Sequence, residues 1–132
     1  MALSLLRPML EVDDMAATLR YWTEILGFTV TSEFSPDAAG PPVWCNLSRD
    51  DLSIMFTWQP EHSHEDGSTH RSEANLAGSL YFNTDDVDGV FAALGAKDGV
   101  GPIDGPADQP HGMREVHIVD PNGFHIYFGQ PL

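Results

Sequence analysis

Hydrophobic and polar residues alternate near the end of the chain in two short runs, residues 112–119 and 124–128. Between them lies Asp-Pro-Asn-Gly, in which proline fixes φ and Asn-Gly accepts positive φ, so the pattern predicts a β-hairpin. Alternation divides its side chains between two faces. The apolar face would carry Val116, Ile118, Phe124, Ile126 and Phe128. The polar face would carry Glu115, His117, His125 and Tyr127.

The first part of the chain predicts a strand followed by an amphipathic helix. Residues 5–12 alternate weakly, and after Asp13 and Asp14 apolar residues recur every three or four positions. Either aspartate suits the N-cap of this helix, and Gly27 suits its end. Further strands are predicted at residues 28–34, 43–47 and 52–58, which gives the order β-α-β-β-β.

The same order of elements returns after an aperiodic segment, residues 59–77, which is interpreted as an exposed connection. The second half predicts a strand at 79–84, a helix capped by Asp85 or Asp86 and closed by Gly95, a weaker strand around 99–104, a loop to 112, and the terminal hairpin. The sequence therefore predicts one α+β domain, residues 1–132, built from two βαβββ modules at 1–58 and 78–132.

Charge and cysteine content narrow the expected partners and location. Twenty acidic and six basic residues give a net charge of −14, which disfavours nucleic acid or an anionic membrane and favours a cationic ligand; the acid excess could also serve solubility alone. A single cysteine, Cys45, fits a small buried hydrophobic residue in a reducing compartment. With no basic leader, cleavage site or membrane-length apolar run, we expect a cytoplasmic protein that does not bind membranes.

Histidines offer a candidate for metal binding or acid–base chemistry. His117 and His125 could meet across the hairpin beside Glu115, whereas His62, His64 and His70 lie on the exposed connection. Neither group has a strong ligand spacing such as helical His-x-x-x-His. Because acid–base chemistry needs no such spacing, Glu115, His117 and His125 are the candidate catalytic residues.

Motifs at both ends of the chain resemble those of the vicinal oxygen chelate superfamily, which includes glyoxalase I, extradiol dioxygenases, fosfomycin resistance enzymes and bleomycin resistance proteins. They are Pro8 to Asp14, Tyr21 to Phe28, Met113 to Glu115, and Asp120 to Gly123. The resemblance covers essentially the whole chain. It implies that the two modules form an eight-stranded incomplete barrel around a groove.

The resemblance also implies where a metal ion would be held in the metal-dependent members. Those positions, which usually carry His or Glu, fall here on Arg7, Met55, Ser79 and Tyr127. An arginine has no acceptor atom, and a thioether is a poor ligand for a hard cation. We therefore expect no metal and no cofactor.

Within the superfamily the resemblance is to the bleomycin resistance proteins. It rests on Arg49-Asp50-Asp51 and on Gln109-Pro110-His111-Gly112, where His111 replaces a tryptophan. These relatives are homodimers that sequester a cationic glycopeptide, which implies a homodimer with Pro8 as the hinge of an exchanged N-terminal strand. Pro8 could equally be a trans proline that enters an edge strand.

Alternation from the four metal positions places a set of side chains on the faces that would line the groove. Ser53, Thr57, Asn83, His117 and His125 share these faces. The predicted ligand-binding residues are Arg7, Met9, Glu11, Trp44, Met55, Ser79, Tyr81, Glu115 and Tyr127. Aromatic surfaces beside carboxylates suit a flat cationic ligand.

The leading hypothesis is a metal-independent binding protein that sequesters an aromatic or cationic small molecule, such as an antibiotic, as a homodimer. The alternative is a glyoxalase-like lyase or a dioxygenase with a relocated metal or an acid–base site at Glu115, His117 and His125. A third reading is a fold that acts only in dimerisation. The replaced metal positions favour binding over catalysis.

Overall fold

The computed structural model describes residues 1–59 and 78–132, which fall into two compact units, Met1–Arg71 and Ser72–Leu132. The first unit contains one four-stranded sheet in the order β1-β4-β3-β2, with β1 parallel to β4 and the other pairs antiparallel. Its elements are β1 (Met9–Glu11), α1 (Met15–Arg20), a π-helical segment (Tyr21–Ile25), β2 (Thr29–Phe34), β3 (Trp44–Arg49) and β4 (Leu52–Thr57).

The helix of the first unit begins and ends where local chemistry requires. The Asp14 carboxylate accepts a hydrogen bond from the Ala17 N–H at 2.9 Å, so it satisfies a donor that the first turn leaves open. Gly27, at φ +73°, ends the helical segment in a conformation that only glycine adopts readily. Between them Trp22 is fully buried, and its ring meets Phe28 and Phe56 edge-on at 5.1 Å. The helix thereby covers one face of the sheet and leaves the other face without a helix.

The second unit repeats this arrangement with a sheet in the order β5-β8-β7-β6, in which β5 and β8 are parallel. Asp86 caps the helix through the Gly89 N–H at 2.9 Å. The apolar hairpin residues, from Val116 to Phe128, are buried as predicted. The elements are β5 (Ser79–Asn83), α2 (Val87–Gly95), β6 (Asp104–Asp108), β7 (Met113–Val119) and β8 (His125–Pro131).

These two sheets confirm the predicted α+β class with two βαβββ modules, and the terminal hairpin is confirmed. Its turn is held by Asp120, whose Oδ1 accepts from the backbone N–H groups of Asn122 and Phe124, each at 2.9 Å. Asp14 and Asp86, rather than their neighbours Asp13 and Asp85, are the caps.

Two predicted boundaries were wrong. The first strand begins at Met9 instead of residue 5. The weak strand placed at 99–104 lies at Asp104–Asp108; β6 is an edge strand, which tolerates Pro106 because one side of its backbone needs no partner. The second helix ends at Gly95, as predicted.

No helix within the described ranges is long and apolar enough to cross a membrane. Residues 60–77 of the predicted connection, including His62, His64 and His70, lie outside the described residues. Whether the two units act as a single domain stays a prediction.

Candidate functional site

Aromatic rings cover the polar face of the second sheet in one continuous row. Strand register places His117 opposite Tyr127 and Tyr81 beside Tyr127. The Tyr127 ring lies 4.5 Å from the His117 ring and 6.2 Å from the Tyr81 ring, with interplanar angles of 25° and 15°. His125 continues the row, with its ring centroid 5.0 Å from that of His117. The polar face of the second sheet therefore presents a continuous aromatic surface.

Glu115 supplies a fixed negative charge beside these rings. Its Oε2 accepts hydrogen bonds from the Tyr81 hydroxyl at 2.7 Å and from His111 Nε2 at 3.0 Å, and its side chain is only 12% exposed. No described residue hydrogen-bonds Oε1. The Tyr81 hydrogen bond, aided by His111, lowers the pKa of Glu115. Partial burial and the same hydrogen bond raise the pKa of Tyr81 to about 12, so the phenol stays a donor at neutral pH.

Gly129 makes the contact between Tyr81 and Glu115 possible. It lies opposite Glu115 in the β7–β8 ladder, and a Cβ at this position would collide with the Tyr81 hydroxyl. The phenol therefore reaches the carboxylate across strand β8 because that strand has no side chain there. Sequence reasoning missed Gly129, although a glycine inside a strand pattern is itself a signal of close approach.

A pocket of about 220 Å³ opens beside Glu115, between strands β6, β7 and β8. Its volume is below the about 300–1,000 Å³ typical of sites for drug-sized ligands, so it matches one ring system and its substituents. Asp104 and Gln109, which sequence reasoning did not select, join it. The lining residues are Asp104, Gly105, Ala107, Gln109, Glu115, His117 and Tyr127.

The face of the first sheet opposite its helix carries a polar network centred on Asn46, which is 6% exposed. Asn46 Oδ1 accepts from Arg7 Nη1 at 3.1 Å and from Ser53 Oγ at 3.0 Å, and its Nδ2 donates to Thr31 Oγ1 at 2.7 Å. Arg7 has no carboxylate partner among the described residues. The network holds the guanidinium in place and leaves its other N–H groups available.

The structure distributes the predicted ligand residues over two surfaces. In the first unit, register pairs Met9 with Met55, Glu11 with Thr57, and Trp44 with Thr57, so these side chains share the face of Asn46. In the second unit Tyr81, Glu115 and Tyr127 lie together, and Ser79 pairs with His125. That both surfaces line one groove stays a prediction.

The alternative sites identified in the sequence are also located. No three His, Cys, Asp or Glu side chains in residues 1–59 and 78–132 are grouped so that they could hold a metal ion. Cys45 is fully buried, 3.7 Å from the Met15 sulfur, and burial raises its pKa to about 11. At neutral pH it is a thiol rather than a nucleophilic thiolate, which agrees with the prediction of a buried hydrophobic residue.

Known proteins resemble the chain over its whole length. The family model of the glyoxalase/bleomycin resistance protein/dioxygenase superfamily matches residues 4–128. TnmS3, an antibiotic-binding protein from Streptomyces sp. CB03234, is 24% identical over 100% of this chain and 99% of its own, with a TM-score of 0.68. TioX from Micromonospora sp. ML1 is 18% identical over 98% and 99%, with a TM-score of 0.72.

A third similar structure is the bleomycin-binding protein from Streptomyces verticillus complexed with copper(II)-bleomycin, which is 19% identical over 96% of this chain and 97% of its own, with a TM-score of 0.65. No curated protein sequence matches the chain. At these identities the structural likeness shows the fold alone. The family model, however, covers nearly all of the sequence, and the chain belongs to the glyoxalase/bleomycin resistance protein/dioxygenase superfamily.

Proposed function

We propose that this protein is a metal-independent small-molecule binding protein of the bleomycin-resistance type, which sequesters an aromatic or cationic compound as a homodimer. Similar structures include an antibiotic-binding protein and a bleomycin-binding protein, so an antibiotic is a reasonable example of the ligand. The observation that carries the proposal is the combination of a fixed carboxylate and stacked rings around one pocket.

Glu115 and Tyr127 give this pocket the two features that an aromatic cation needs. The carboxylate has one oxygen held by two donors, and the other oxygen is available for a ligand cation. The Tyr127 and His117 rings stack on each other. A flat ligand would stack on an outer face of this pair, and a cation over an aromatic face gains about 0.5–2 kcal/mol. A rigid carboxylate also loses little entropy when the ligand binds.

The charge around the pocket reinforces this preference. Residues 78–132 contain eight acidic and two basic side chains. One of the two, Arg114, is already paired with Asp88 at 3.1 Å and with Asp108 at 2.9 Å. The second unit therefore presents a negative field to an approaching ligand, which steers cations toward it and repels anions.

We further propose that Ser79 on β5 belongs to this site and that the first sheet carries a ligand-binding surface of its own. Met9, Met55 and Trp44 would add apolar contact, Glu11 would add a second carboxylate, and Ser79 would add a hydroxyl. Arg7, held by Asn46, would bind an oxygen acceptor of the ligand.

Exposed apolar residues ahead of β1 support the dimer. Leu3, Leu5 and Leu6 are 98%, 63% and 90% exposed, and the edge strand β1 follows directly after Pro8. A second copy would cover this arm, with Pro8 as its hinge. Sedimentation should show a dimer for the wild type and a shift toward monomer for Leu5→Ser/Leu6→Ser, while a wild-type monomer would refute this part.

Two dyes that share a xanthene ring test the ligand preference. The chelator-treated protein is titrated with a rhodamine ester, which is a cation, and with fluorescein, which is a dianion, and binding is followed by fluorescence anisotropy. We expect the rhodamine to bind about tenfold or more tightly than fluorescein. A cation about 4 Å from a carboxylate near the protein surface gains more than about 1.4 kcal/mol, and that free energy corresponds to a tenfold change in affinity. Equal affinity, or binding only after a divalent metal is added, would refute the proposal.

The enzyme alternative rests on the direct hydrogen bond between His117 and His125. Such a pair could serve acid–base chemistry with Glu115 in a lyase or dioxygenase. Chromatography of the dye or drug recovered from the complex distinguishes the two functions. Unaltered ligand agrees with sequestration, whereas a product that disappears in both His117→Ala and His125→Ala supports the enzyme.

A further inference from the structure

Three side chains on neighbouring strands of the second sheet form one continuous hydrogen-bonded chain. Asp104 Oδ2 on β6 lies 3.1 Å from His117 Nδ1 on β7, and His117 Nε2 lies 2.8 Å from His125 Nδ1 on β8. The two imidazole planes differ by only 4°. Rings that stack face to face keep their planes about 3.5 Å apart. Two parallel planes that hold nitrogens only 2.8 Å apart are closer together than that. The rings therefore lie side by side, as hydrogen-bonded imidazoles do.

This geometry determines where the protons reside in the neutral pair. A carboxylate only accepts, so His117 Nδ1 carries a hydrogen and donates it to Asp104. Neutral His117 then has a bare Nε2, which accepts from His125 Nδ1–H. His125 Nε2 is left without a hydrogen, and no described residue donates to it. The chain thus ends on an unoccupied basic nitrogen.

Among the described residues, Asp104 is the carboxylate that contacts the pair of His117 and His125. Glu115, two residues from His117 on β7, is bonded to Tyr81 and to His111. The Tyr127 ring of β8 lies against His117, and β5 brings Ser79 beside His125. Among the described residues of this sheet, Asp104 and Tyr127 contact the pair, and the other titratable groups on the same face are Glu115 and its partners Tyr81 and His111.

We propose that Asp104, His117 and His125 form a proton-accepting site for a ligand with a weakly acidic hydroxyl, such as a phenol or an enol. The ligand O–H gives its proton to His125 Nε2, and the proton on His125 Nδ1 passes to His117 Nε2. His117 becomes an imidazolium that donates to both neighbours, beside the Asp104 carboxylate. The ligand loses one proton, the pair gains one, and the resulting phenolate accepts from His125 Nε2–H.

The hydrogen bond between the rings requires that one of the two facing nitrogens carries no hydrogen. Hydrogens on both would place an N–H of one ring directly against an N–H of the other at 2.8 Å. This inference deepens the proposed function, on which it rests, because it adds a hydroxyl group to the aromatic ligand class.

A chromogenic phenol tests the transfer in the intact protein. Para-nitrophenol is mixed with saturating protein at one pH unit below the pKa of the phenol. Para-nitroanisole has the same ring but no proton to give, so it controls for absorbance changes that come from binding alone. We expect phenolate absorbance to rise about twofold or more with the wild type, to disappear in His125→Gln, and to fall in Asp104→Asn. Asp108→Asn, on the same strand, should retain the rise. No rise with the wild type, or an equal rise in His125→Gln, would overturn the proposal.

Nitrogen NMR of the ligand-free protein tests the proton positions independently of any ligand. We expect hydrogens on Nδ1 of both rings and a bare His125 Nε2 in the neutral pair. A hydrogen on His125 Nε2 in the neutral pair would overturn the relay. Failure of the rhodamine ester to bind, with both of these results obtained, would count against the cation site alone.

Discussion

Replacing Tyr81 by phenylalanine removes one hydroxyl, the donor at 2.7 Å from Glu115, and keeps the ring. A hydrogen bond to a charged group contributes about 1.5–3 kcal/mol when it is buried. Because Tyr81 is 42% exposed and water competes for the carboxylate, we expect Tyr81→Phe to lower the free energy of unfolding by about 1 kcal/mol. For a chain of this length, that loss lowers Tm by about 3–5 °C at neutral pH.

The pH dependence of this loss identifies its source. Hydrogen bonding holds the pKa of Glu115 below its usual value, so the stabilisation is present above about pH 4.3 and is lost as pH falls through the folded-state pKa. The pKa of Tyr81 is raised to about 12. The same stabilisation is therefore present up to about pH 10, the ordinary pKa of a tyrosine, and is lost as pH rises further. The Tm difference should therefore be largest between these limits.

Tyr127→Phe is the matched control, because the Tyr127 hydroxyl has no hydrogen bond within the described part of the chain. Calorimetry across pH should show a small, pH-independent change in this variant. NMR titration of the Glu115 carboxyl carbon should show a higher pKa in Tyr81→Phe and an unchanged pKa in Tyr127→Phe. Equal effects of the two substitutions would refute the assignment of Tyr81 as the donor that holds Glu115.

Four further predictions concern glycine, cysteine and capping positions. Gly129→Ala should displace Tyr81, so NMR should show the same raised pKa of Glu115 as in Tyr81→Phe. Gly95→Ala adds a Cβ that meets no atom within 4 Å at a helical position, so it should raise the free energy of unfolding by about 0.5 kcal/mol in denaturant titrations. Cys45 should resist a disulfide reagent in the native protein and react on unfolding; rapid native reaction would contradict its burial. Asp86→Ala should cost about 1 kcal/mol through loss of the α2 cap, measured by thermal unfolding.

Local patterns carried most of the fold prediction. The two faces of the terminal hairpin follow from alternation alone, since the side-chain period of a strand is two, and the structure buries Ile118 while it leaves His117 on the opposite face. Asp14 and Gly27 mark a helix by their own backbone chemistry. These features need no information about distant residues.

The site required information that no local pattern contains. The β6–β7 pairing shifts register between Asp104 and Ala107, and this shift brings Asp104 opposite His117. The segment's Gly105 and Pro106 indicated a loop, so neither the strand nor its register could be anticipated. Likewise, the contact between Tyr81 and Glu115 depends on the strand order β5-β8-β7, which places Gly129 between them. Long-range pairing decided both contacts.

The proposed function requires that Glu115 binds the cationic part of an aromatic ligand. Titration of the rhodamine ester against Glu115→Gln tests it most directly, because glutamine keeps the shape and removes the charge; Glu33→Gln, an exposed position on β2, controls for net charge. We expect about a tenfold or greater loss of affinity in Glu115→Gln and none in Glu33→Gln. Equal affinity of Glu115→Gln and the wild type would contradict it.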